Sequence, residues 1–333
     1  MILVTGGAGY IGSHCAMALL EQNKDVIIFD NFSTGHVETI EKLKKIKNIE
    51  YIKGDLTNFK DINNVFTNNK IDAVIHFAAF SQVAESMQDP QKYYMNNVYG
   101  TLNLLKAMLE NNVKKIVFSS TAATYGEPQY IPIDEKHPQI PINPYGQTKL
   151  IIERIMDDYD KAYGLKSVRL RYFNVAGADS KIRIGEWHEP ETHLIPNILK
   201  STFKNEKVFK MFGTDYNTKD GTCVRDYINV EDLAKAHLLA LNYLNNGGST
   251  NFFNLGTNSG SSVKEVFTQC ENVTKKKIKI EVCPRRNGDP ANLIADNHKA
   301  QQILNWQPEK TLADSIKTAY NWEKQLNKEF IDG

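Results

Sequence analysis

Three side chains in the middle of the chain have the types and spacing of an acid/base site. Tyr145 and Lys149 stand four residues apart in "PYGQTK", at the start of a helical pattern, so both lie on one helix face. Thr121 adds a hydroxyl in "SSTAATYG", directly after an apolar run that predicts a strand. A phenol, an ammonium and a hydroxyl held together can move a proton to or from a substrate oxygen. These three residues are therefore the candidate catalytic residues.

A tyrosine acts as a base near neutral pH only when its surroundings lower its pKa. In water that pKa is ~10, and bringing it to ~7 takes roughly 4 kcal/mol. One cation at ~4 Å supplies about that much at an effective dielectric constant of ~20. We therefore expect the Lys149 ammonium to lower the pKa of Tyr145.

A glycine-rich stretch at the start of the chain lies between a predicted strand and a predicted helix. Counted from Gly7, "TGGAGYIG" fits G-x-G-x-x-G, the general dinucleotide fingerprint. Counted from Gly6, it fits the looser G-x-x-G-x-x-G turn of short-chain dehydrogenases/reductases. In that second reading Gly6 makes the tight turn, Gly9 lets the backbone approach a pyrophosphate, and Gly12 lets the helix pack closely. The helix N-terminus then receives the phosphates of a dinucleotide.

Acidic residues at two strand ends predict which dinucleotide binds. Asp30 ends the second predicted strand, 18 residues after Gly12. A carboxylate there binds both ribose hydroxyls and repels a 2′-phosphate, so the predicted cofactor is NAD rather than NADP. Asp55 and Leu56, at the end of the third strand, are placed to hold the adenine. The alternative, that Asp55 only caps the following helix, stays open.

Short β-branched apolar runs alternate with longer helical patterns up to about residue 174. This alternation predicts an α/β fold with a doubly wound parallel sheet, the Rossmann architecture. Beyond it, longer loops rich in Gly, Asp and Pro predict a smaller C-terminal α/β lobe. "NFFNLG" at 251–256 reads as one more core strand, so the two lobes are expected to interleave. The predicted division is an NAD-binding domain over 1–174, with a returning segment at about 226–256, and a substrate lobe over 175–225 and 257–330.

The composition is that of an ordinary soluble protein and excludes several kinds of partner. The 333 residues are 41% hydrophobic and 24% charged, with a formal net charge of +1. This charge gives no electrostatic signal for a nucleic acid or an acidic membrane. No apolar run approaches the ~18 residues of a membrane span, and the four scattered cysteines fit a reducing compartment. We therefore expect a cytoplasmic protein without nucleic-acid or membrane partners.

One short segment, "HEPETH", has residue types that bind metals. His188 and His193 are five residues apart with Pro190 between them. They cannot share a helix face as the histidines of H-E-x-x-H do. The segment is therefore predicted to be a loop, and no metal site is expected.

Motifs from Met1 to about residue 325 resemble those of the UDP-glucose 4-epimerase family, within the extended short-chain dehydrogenases/reductases. The resemblance implies an isomerase with tightly bound NAD that interconverts UDP-galactose and UDP-glucose through a transient 4-keto sugar. Few unrelated families combine these motifs in this order. The motifs that carry it are "TGGAGYIGSH", "FDN", "GDL", "VIHFAA", "YYMNNVYGT", "FSSTAATYG", "NPYGQTK", "RYFNVAGA", "ETHLIP", "FGTDYNTKDGTCVRDYI" and "PRRNGDPA".

The resemblance also implies a role for individual residues. Those expected along the cofactor, beside Gly6, Gly9 and Gly12, are Tyr10, Ile11, Asp30, Asn31, Asp55, Leu56, Phe77, Ala78, Ser81, Asn96, Thr121, Tyr145, Lys149 and Phe173. Those expected on the UDP-sugar are Asn174, His193, Leu194, Lys210, Met211, Phe212, Arg225, Arg286, Asp289 and Leu293.

A homodimer is the expected assembly. The family pairs the helices that follow the fourth and fifth strands, here 89–110 and 145–163. Their apolar residues exceed what one buried face needs. The residues in question are Leu102, Leu105, Leu109, Ile151, Ile155 and Met156.

Two other functions remain open at this point. A related enzyme acting on a UDP-uronic acid needs a cation for the carboxylate, and no arginine is spare beyond the two expected on the phosphates. A non-enzymatic NAD-sensing module of the same fold is expected to lack the Tyr/Lys pair, which is present here.

Departures from related families concern the reaction and the sugar. Sugar-nucleotide 4,6-dehydratases carry an Asp-Glu pair where this chain has Ala122 and Ala123, so water elimination lacks its acid. Some 4-epimerases have Lys at the position of Ser81 and Tyr at the position of Leu293. Leucine is smaller than tyrosine, so we expect room for an N-acetyl group and turnover of UDP-N-acetylhexosamines.

Overall fold

The computed structural model describes residues 1–203, 208–285 and 290–331. Its main sheet has seven parallel strands in the order β11-β6-β5-β4-β1-β2-β3. These strands are β1 (Ile2–Thr5), β2 (Val26–Asp30), β3 (Glu50–Lys53), β4 (Ala73–His76), β5 (Lys115–Thr121), β6 (Lys166–Tyr172) and β11 (Asn251–Leu255). The predicted doubly wound sheet is confirmed, including the late strand in "NFFNLG".

Helices cover both faces of this sheet. They are α1 (Tyr10–Glu21), α2 (Val37–Lys44), α3 (Phe59–Asn68), α4 (Val83–Gln88), α5 (Pro90–Tyr93), α6 (Gly100–Glu110), α7 (Pro144–Tyr163) and α9 (Val230–Asn245). One turn of π-helix, Tyr94–Tyr99, joins α5 to α6. One hydrophobic core lies between the sheet and α1, α2 and α9, and the other lies between the sheet and α3, α6 and α7.

The remaining elements, which we call the second lobe, are short sheets of two or three strands packed with three helices. Its helices are α8 (Leu194–Ser201), α10 (Val263–Thr274) and α12 (Leu312–Ile331). Its strands are β7 (Asn174–Ala176), β8 (Phe209–Phe212), β9 (Val224–Arg225), β10 (Tyr227–Asn229), β12 (Ser261–Ser262), β13 (Ile280–Cys283) and β14 (Asn292–Leu293). A separate hydrophobic core joins the helices to β8 and β10.

A further helix, α11 (His298–Leu304), lies after the second-lobe strands in the chain but packs on the first lobe. Ala300, Leu304 and Trp306 are buried in the same core as α1 and α9. The chain therefore returns to the main sheet after its last short strand.

The surface expected for a dimer differs in part from the sequence prediction. Leu105 and Met156 are fully buried within the chain, in the core beneath α6 and α7, so the expectation that they add to an exposed face is wrong. Met95 and Tyr99, in the π-helical turn, are instead exposed. The hydrophobic pattern alone could not separate these two sets, because both follow helical spacing.

Among the described residues, no helix is both long enough and apolar enough to cross a membrane.

Candidate active site

The glycine turn has the geometry that the sequence predicts. Gly6 has φ +72°, and a Cβ there would lie 2.6 Å from the Ala78 nitrogen. A Cβ on Gly12 would lie 2.1 Å from the Gly6 oxygen, so this glycine permits close packing between helix and turn. Gly9 meets only the Gly6 oxygen, at 3.5 Å, and it is the N-cap of α1 with no side chain capping the helix. The free N–H groups of this helix end border a cavity, which suits an anion.

The ends of β2 and β3 place two carboxylates beside the same cavity. Asp30 accepts hydrogen bonds from the main-chain N–H groups of Ala8 (2.9 Å) and Phe32 (2.8 Å), while burial raises its pKa. Each carboxylate oxygen has two acceptor positions, so both retain capacity for a hydroxyl donor. Asp55 accepts from the Asn31 amide at 2.9 Å and does not itself line the cavity.

The structure assigns the cap of the next helix to a different residue. The Asn58 side chain accepts a hydrogen bond from the Lys60 N–H at the start of α3. Asp55 instead closes a turn by accepting from the Thr57 N–H and hydroxyl. The alternative that Asp55 caps this helix is therefore wrong.

A cavity of about 590 Å³ runs along the carboxyl edge of the main sheet. Most of the residues expected on the cofactor line it. They are Gly6, Gly9, Tyr10, Ile11, Gly12, Asp30, Asn31, Leu56, Phe77, Ala78, Ser81, Asn96, Thr121, Tyr145, Lys149 and Phe173. This is the edge at which open parallel sheets bind ligands.

The three candidate catalytic residues converge on one wall of this cavity. Thr121 ends β5 and hydrogen-bonds the Tyr145 hydroxyl, while Tyr145 and Lys149 lie on the first turns of α7. Asn143 caps α7 and Pro144 occupies its first turn, which explains why the helix begins there. The Lys149 ammonium is buried and donates to the Ser119 carbonyl oxygen at 2.8 Å.

The electrostatics of this wall differ from the sequence expectation. Burial raises the pKa of Tyr145 to about 12, against the effect of the Thr121 hydrogen bond. Burial also lowers the pKa of Lys149 to about 7, against the charge of Glu153. The expectation that Lys149 brings the pKa of Tyr145 to ~7 is therefore wrong for the chain by itself, because burial disfavours a charge on either group.

A second cavity, of about 480 Å³, adjoins the first one. Lys210 and Phe212 line it from β8, and Arg225 from β9. The Arg225 guanidinium donates to the Pro290 carbonyl oxygen at 2.7 Å. The residues that line both cavities are Asn174, Thr192, His193, Leu194, Arg225 and Tyr227.

Among the described residues expected on the UDP-sugar, Met211 does not line either cavity. The Met211 side chain points to the opposite face of β8 and is buried in the second-lobe core. Arg286 and Asp289 lie outside the described residues.

His193 is held by acidic neighbours at the start of α8. Its Nδ1 lies in hydrogen-bond contact with a carboxylate oxygen of Glu186. This carboxylate raises the pKa of His193 to about 9, although burial opposes the shift. The pKa of Glu186 falls to about 2 because His193 and His188 lie against it.

Comparison with known proteins gives the family of this chain. The model of the family described as GDP-mannose 4,6 dehydratase matches residues 3–319. A UDP-glucose 4-epimerase of Halalkalibacterium halodurans is 52% identical over 325 residues, which cover 97% of this chain and 96% of the relative. The chain belongs to the UDP-glucose 4-epimerase family.

Solved structures of this family closely resemble the chain. A UDP-glucose 4-epimerase from Bifidobacterium longum, in complex with NAD⁺ and UDP, has a TM-score of 0.93 at 40% identity and covers 97% of this chain and 98% of its own. A UDP-Glc/GlcNAc 4-epimerase from Campylobacter jejuni has a TM-score of 0.86 at 44% identity, with 97% and 99% covered.

Positions that distinguish reactions within this fold lie on the first cavity. Ala122 and Ala123 line it where the dehydratases are expected to carry an Asp-Glu pair, so neither position offers an acid for water elimination. Leu293 also lines it and packs against the buried side chains of Ala122, Tyr125 and Ile133. The positions compared with related families therefore line the same cavity as the candidate catalytic residues.

Sequence reasoning missed several residues of the cavity wall. Ser119 lies two positions before Thr121 on β5 and therefore on the same strand face, which is a signal that could have found it. Tyr172 ends β6 beside it, and the two side chains share a short hydrogen bond. Thr192 and Tyr227 come from loops and short strands, and no local pattern marks them.

Proposed function

We propose that this chain catalyses the NAD-dependent epimerisation of UDP-hexoses at C4, from UDP-galactose to UDP-glucose, through a transient 4-keto sugar. The observation that carries the proposal is the position of Thr121, Tyr145 and Lys149. They lie on the wall of a cavity that reaches the glycine turn and adjoins a second cavity containing Arg225. A nucleotide cofactor and a nucleotide sugar thus have separate spaces that meet at the acid/base residues.

The residues present fit NAD. The uncapped N-terminus of α1 with Gly9 suits a pyrophosphate, and Asp30 suits a ribose without a 2′-phosphate. When bound, NAD would accept the hydride from C4 of the sugar and later return it. Tyr10 contributes its ring and main chain, because its hydroxyl donates to the Gly177 carbonyl oxygen at 2.6 Å.

The second cavity fits the UDP half of the substrate. Arg225 provides a fixed cation where the two cavities meet, and arginine suits forked contacts to phosphate oxygens. Phe212 offers an apolar surface and Lys210 a polar one from β8. We propose that Arg286 and Asp289 complete this site from the neighbouring segment.

The proton steps fall to the residues around Tyr145. Its phenolate oxygen takes the proton of the 4-hydroxyl during oxidation and returns it during reduction. Thr121 hydrogen-bonds the same oxygen and orients it. Lys149, as ammonium, stabilises the phenolate and holds a ribose of the cofactor. The 4-keto sugar then turns about its bond to the diphosphate and offers its other face.

One residue of the cavity wall supports acceptance of N-acetylhexosamine substrates as well as the plain hexoses. Leu293 lines the cavity, and it is shorter than a tyrosine by several heavy atoms. The Campylobacter jejuni neighbour is described as acting on both UDP-Glc and UDP-GlcNAc. We propose that this chain accepts both kinds of sugar.

We also propose a homodimer, an interleaved two-lobe division and a cytoplasmic location. Exposed apolar side chains next to α7 support the dimer. Separate hydrophobic cores support the two lobes, with residues 298–306 assigned to the NAD-binding lobe on their packing. The four cysteines are free thiols, which suits the reducing cytoplasm.

Turnover without added cofactor tests the proposed reaction. Purified protein incubated with UDP-galactose and no added NAD should yield UDP-glucose, because the hydride is borrowed and returned. NAD released by denaturing the protein is quantified in parallel. Activity that requires stoichiometric NAD and accumulates free NADH contradicts the proposal and favours a dehydrogenase. NAD binding without turnover of any UDP-sugar favours an NAD-sensing module.

A further inference from the structure

The loop before α8 brings four potential metal ligands together. Glu186, His188, Glu191 and His193 each offer one ligand atom, and these atoms all lie within 4.8 Å of one another. The sequence prediction of a loop is confirmed. The expectation of no metal site assumed, however, that the two histidines needed a shared helix face. The loop turns so that the two histidines come together without a helix.

Two of these side chains, His193 and Glu186, are in hydrogen-bond contact, whereas the His188 imidazole is not aligned with either carboxylate. The Nδ1 atom of His188 lies 3.3 Å from Glu186, yet within the described residues it is buried without a hydrogen-bond partner. The Nδ1 atoms of His188 and His193 each lie 3.9 Å from the nearer Glu191 oxygen. The four ligand atoms are therefore close enough together to share one ion.

A second feature that points to a ligand is the burial of the carboxylates. The side chains of Glu186 and Glu191 are only 4% and 5% exposed. The Oε2 atom of Glu191 has no hydrogen-bond partner among the described residues, and Lys200 approaches it only to 3.6 Å. Buried polar atoms in native proteins nearly always have a partner. The Glu191 oxygen without a hydrogen-bond partner therefore leaves capacity for a bound cation beside the two buried carboxylates.

We propose that Glu186, His188, Glu191 and His193 bind one zinc ion. Two imidazole nitrogens and two carboxylate oxygens are a ligand set that zinc takes in tetrahedral geometry. Ligand atoms of such a site lie ~3.3 Å apart, a spacing within the range found here. All four positions come from protein side chains, so the ion has a structural role and takes no part in the proposed reaction.

The position of the ion indicates what it stabilises. His188, Thr192 and His193 line the first cavity, so the loop is part of its wall. Protein contacts also hold the loop: the Trp322 indole donates to the Glu186 carbonyl oxygen at 2.8 Å, Trp187 stacks on His36, and the Asn197 amide donates to the Glu191 carbonyl oxygen at 3.2 Å. Zinc should therefore fix the cavity wall beside the helix end at Tyr10.

Metal content tests this proposal independently of activity. Tag-free protein is incubated with ZnCl₂, dialysed and assayed by plasma mass spectrometry. One zinc ion per chain is expected. His188→Gln and Glu191→Gln should each lose bound zinc, while the His298→Gln control should keep it. His298 is a matched imidazole, exposed and paired with Asp296 away from the loop.

Thermal unfolding provides the second readout and guards against misfolded variants. A chelator should lower the Tm of the zinc-loaded protein and leave the Tm of His188→Gln unchanged, because only a ligand bound to the folded state stabilises it. NAD content confirms that each variant folds. Wild-type protein that holds no zinc after loading, or that retains Mn²⁺ or Ni²⁺ in preference to zinc, overturns the assignment. Zinc retained equally by His188→Gln and Glu191→Gln overturns it as well.

Discussion

Burial controls the chemistry of the acid/base residues. Tyr145 and Lys149 were predicted from their spacing, and the structure places both on the cavity wall. Spacing could not predict their pKa values, because these depend on residues distant in sequence. Burial among residues distant in sequence disfavours charge on Lys149 and lowers its pKa to about 7, although the charge of Glu153 opposes the shift. The catalytic pair is therefore found from sequence, but its protonation state is not.

Replacement of Tyr145 by phenylalanine tests its role as the base. The variant Tyr145→Phe keeps the ring that packs in the cavity and loses the hydroxyl that Thr121 contacts. Activity should fall roughly 10²- to 10⁴-fold, while bound NAD and the affinity for UDP remain. Steady-state rates and calorimetric titration with UDP measure the two effects. Near-wild-type activity would mean that another group is the base.

The pH dependence of the reaction follows from the same pair. Below pH ~7 both Tyr145 and Lys149 hold their protons, so no base is present; the pKa of Lys149 is about 7 and that of Tyr145 about 12. As the pH rises through ~7 the pair loses one proton, and the form with phenolate and ammonium becomes accessible. The value of kcat/KM should therefore rise across neutral pH. Tyr145→Phe should remove this rise, and a flat wild-type profile would contradict the assignment.

Leu293 provides a test of the sugar range. The variant Leu293→Tyr should abolish turnover of UDP-N-acetylglucosamine and spare UDP-galactose, because the larger ring fills space in the cavity that Leu293 lines. Leu293→Met is the matched control and should keep both activities. Coupled assays with each substrate at saturation measure the split. A wild-type protein that turns over no N-acetyl substrate would assign Leu293 to packing alone, against the cluster that contains Tyr125 and Ile133.

At the scale of elements, a buried network of charged and polar side chains links α7, β5 and β6 beside the site. Glu153 on α7 accepts from Arg171 on β6 and from the Ser120 hydroxyl on β5. Both charged side chains are only 3% exposed. Glu153 lies one helical turn after Lys149, so the network also sets the rotation of α7 at the active site.

Removal of one partner of this network should be strongly destabilising. Glu153→Gln leaves the Arg171 guanidinium buried without its counter-charge, which should cost about 3–5 kcal/mol. Urea unfolding monitored by circular dichroism measures the loss. Glu309→Gln, which breaks an exposed pair with Lys235, should change stability little. Adding Arg171→Met to Glu153→Gln should restore part of the lost stability, because it removes the unpaired charge. If the double variant is no more stable than Glu153→Gln, the loss does not come from an unpaired charge.

The elements were predictable to different degrees, for physical reasons. All seven main strands were found, and β1, β2 and β4 have continuous apolar runs because both faces of the sheet are buried there. The two-residue strands β9, β12 and β14 have too few residues for a periodic pattern. The cluster of potential metal ligands at Glu186 was missed because a loop brings these residues together, and no regular spacing in the sequence marks them.

For the whole molecule, elements that follow the main parallel strands line the same two cavities as those strands, because the chain passes repeatedly between the two groups of elements. β7 and β10 pair in parallel beneath the second cavity, and the following helix α9 returns to the main sheet. Residues 298–306 return to it once more. The sequence predicted the first return, through the strand at 251–256. It did not predict the second, because the residues of a short helix such as α11 do not show which hydrophobic core they pack into.

The proposed homodimer can be tested by the mass of the protein in solution. Met95 and Tyr99 are 48% and 42% exposed on the π-helical turn that packs beside α7, and such large apolar side chains at neighbouring positions favour a partner surface. The wild-type chain should therefore have twice its monomer mass of 37.8 kDa in light scattering. The double variant Met95→Glu/Tyr99→Glu should become monomeric, because a symmetric interface places each new charge near its own copy. Ile303→Glu is the matched control: Ile303 is 44% exposed on α11, and its replacement should leave the dimer intact. A dimer that survives the double variant would exclude this face as the interface, and a monomeric wild type would exclude the assembly itself.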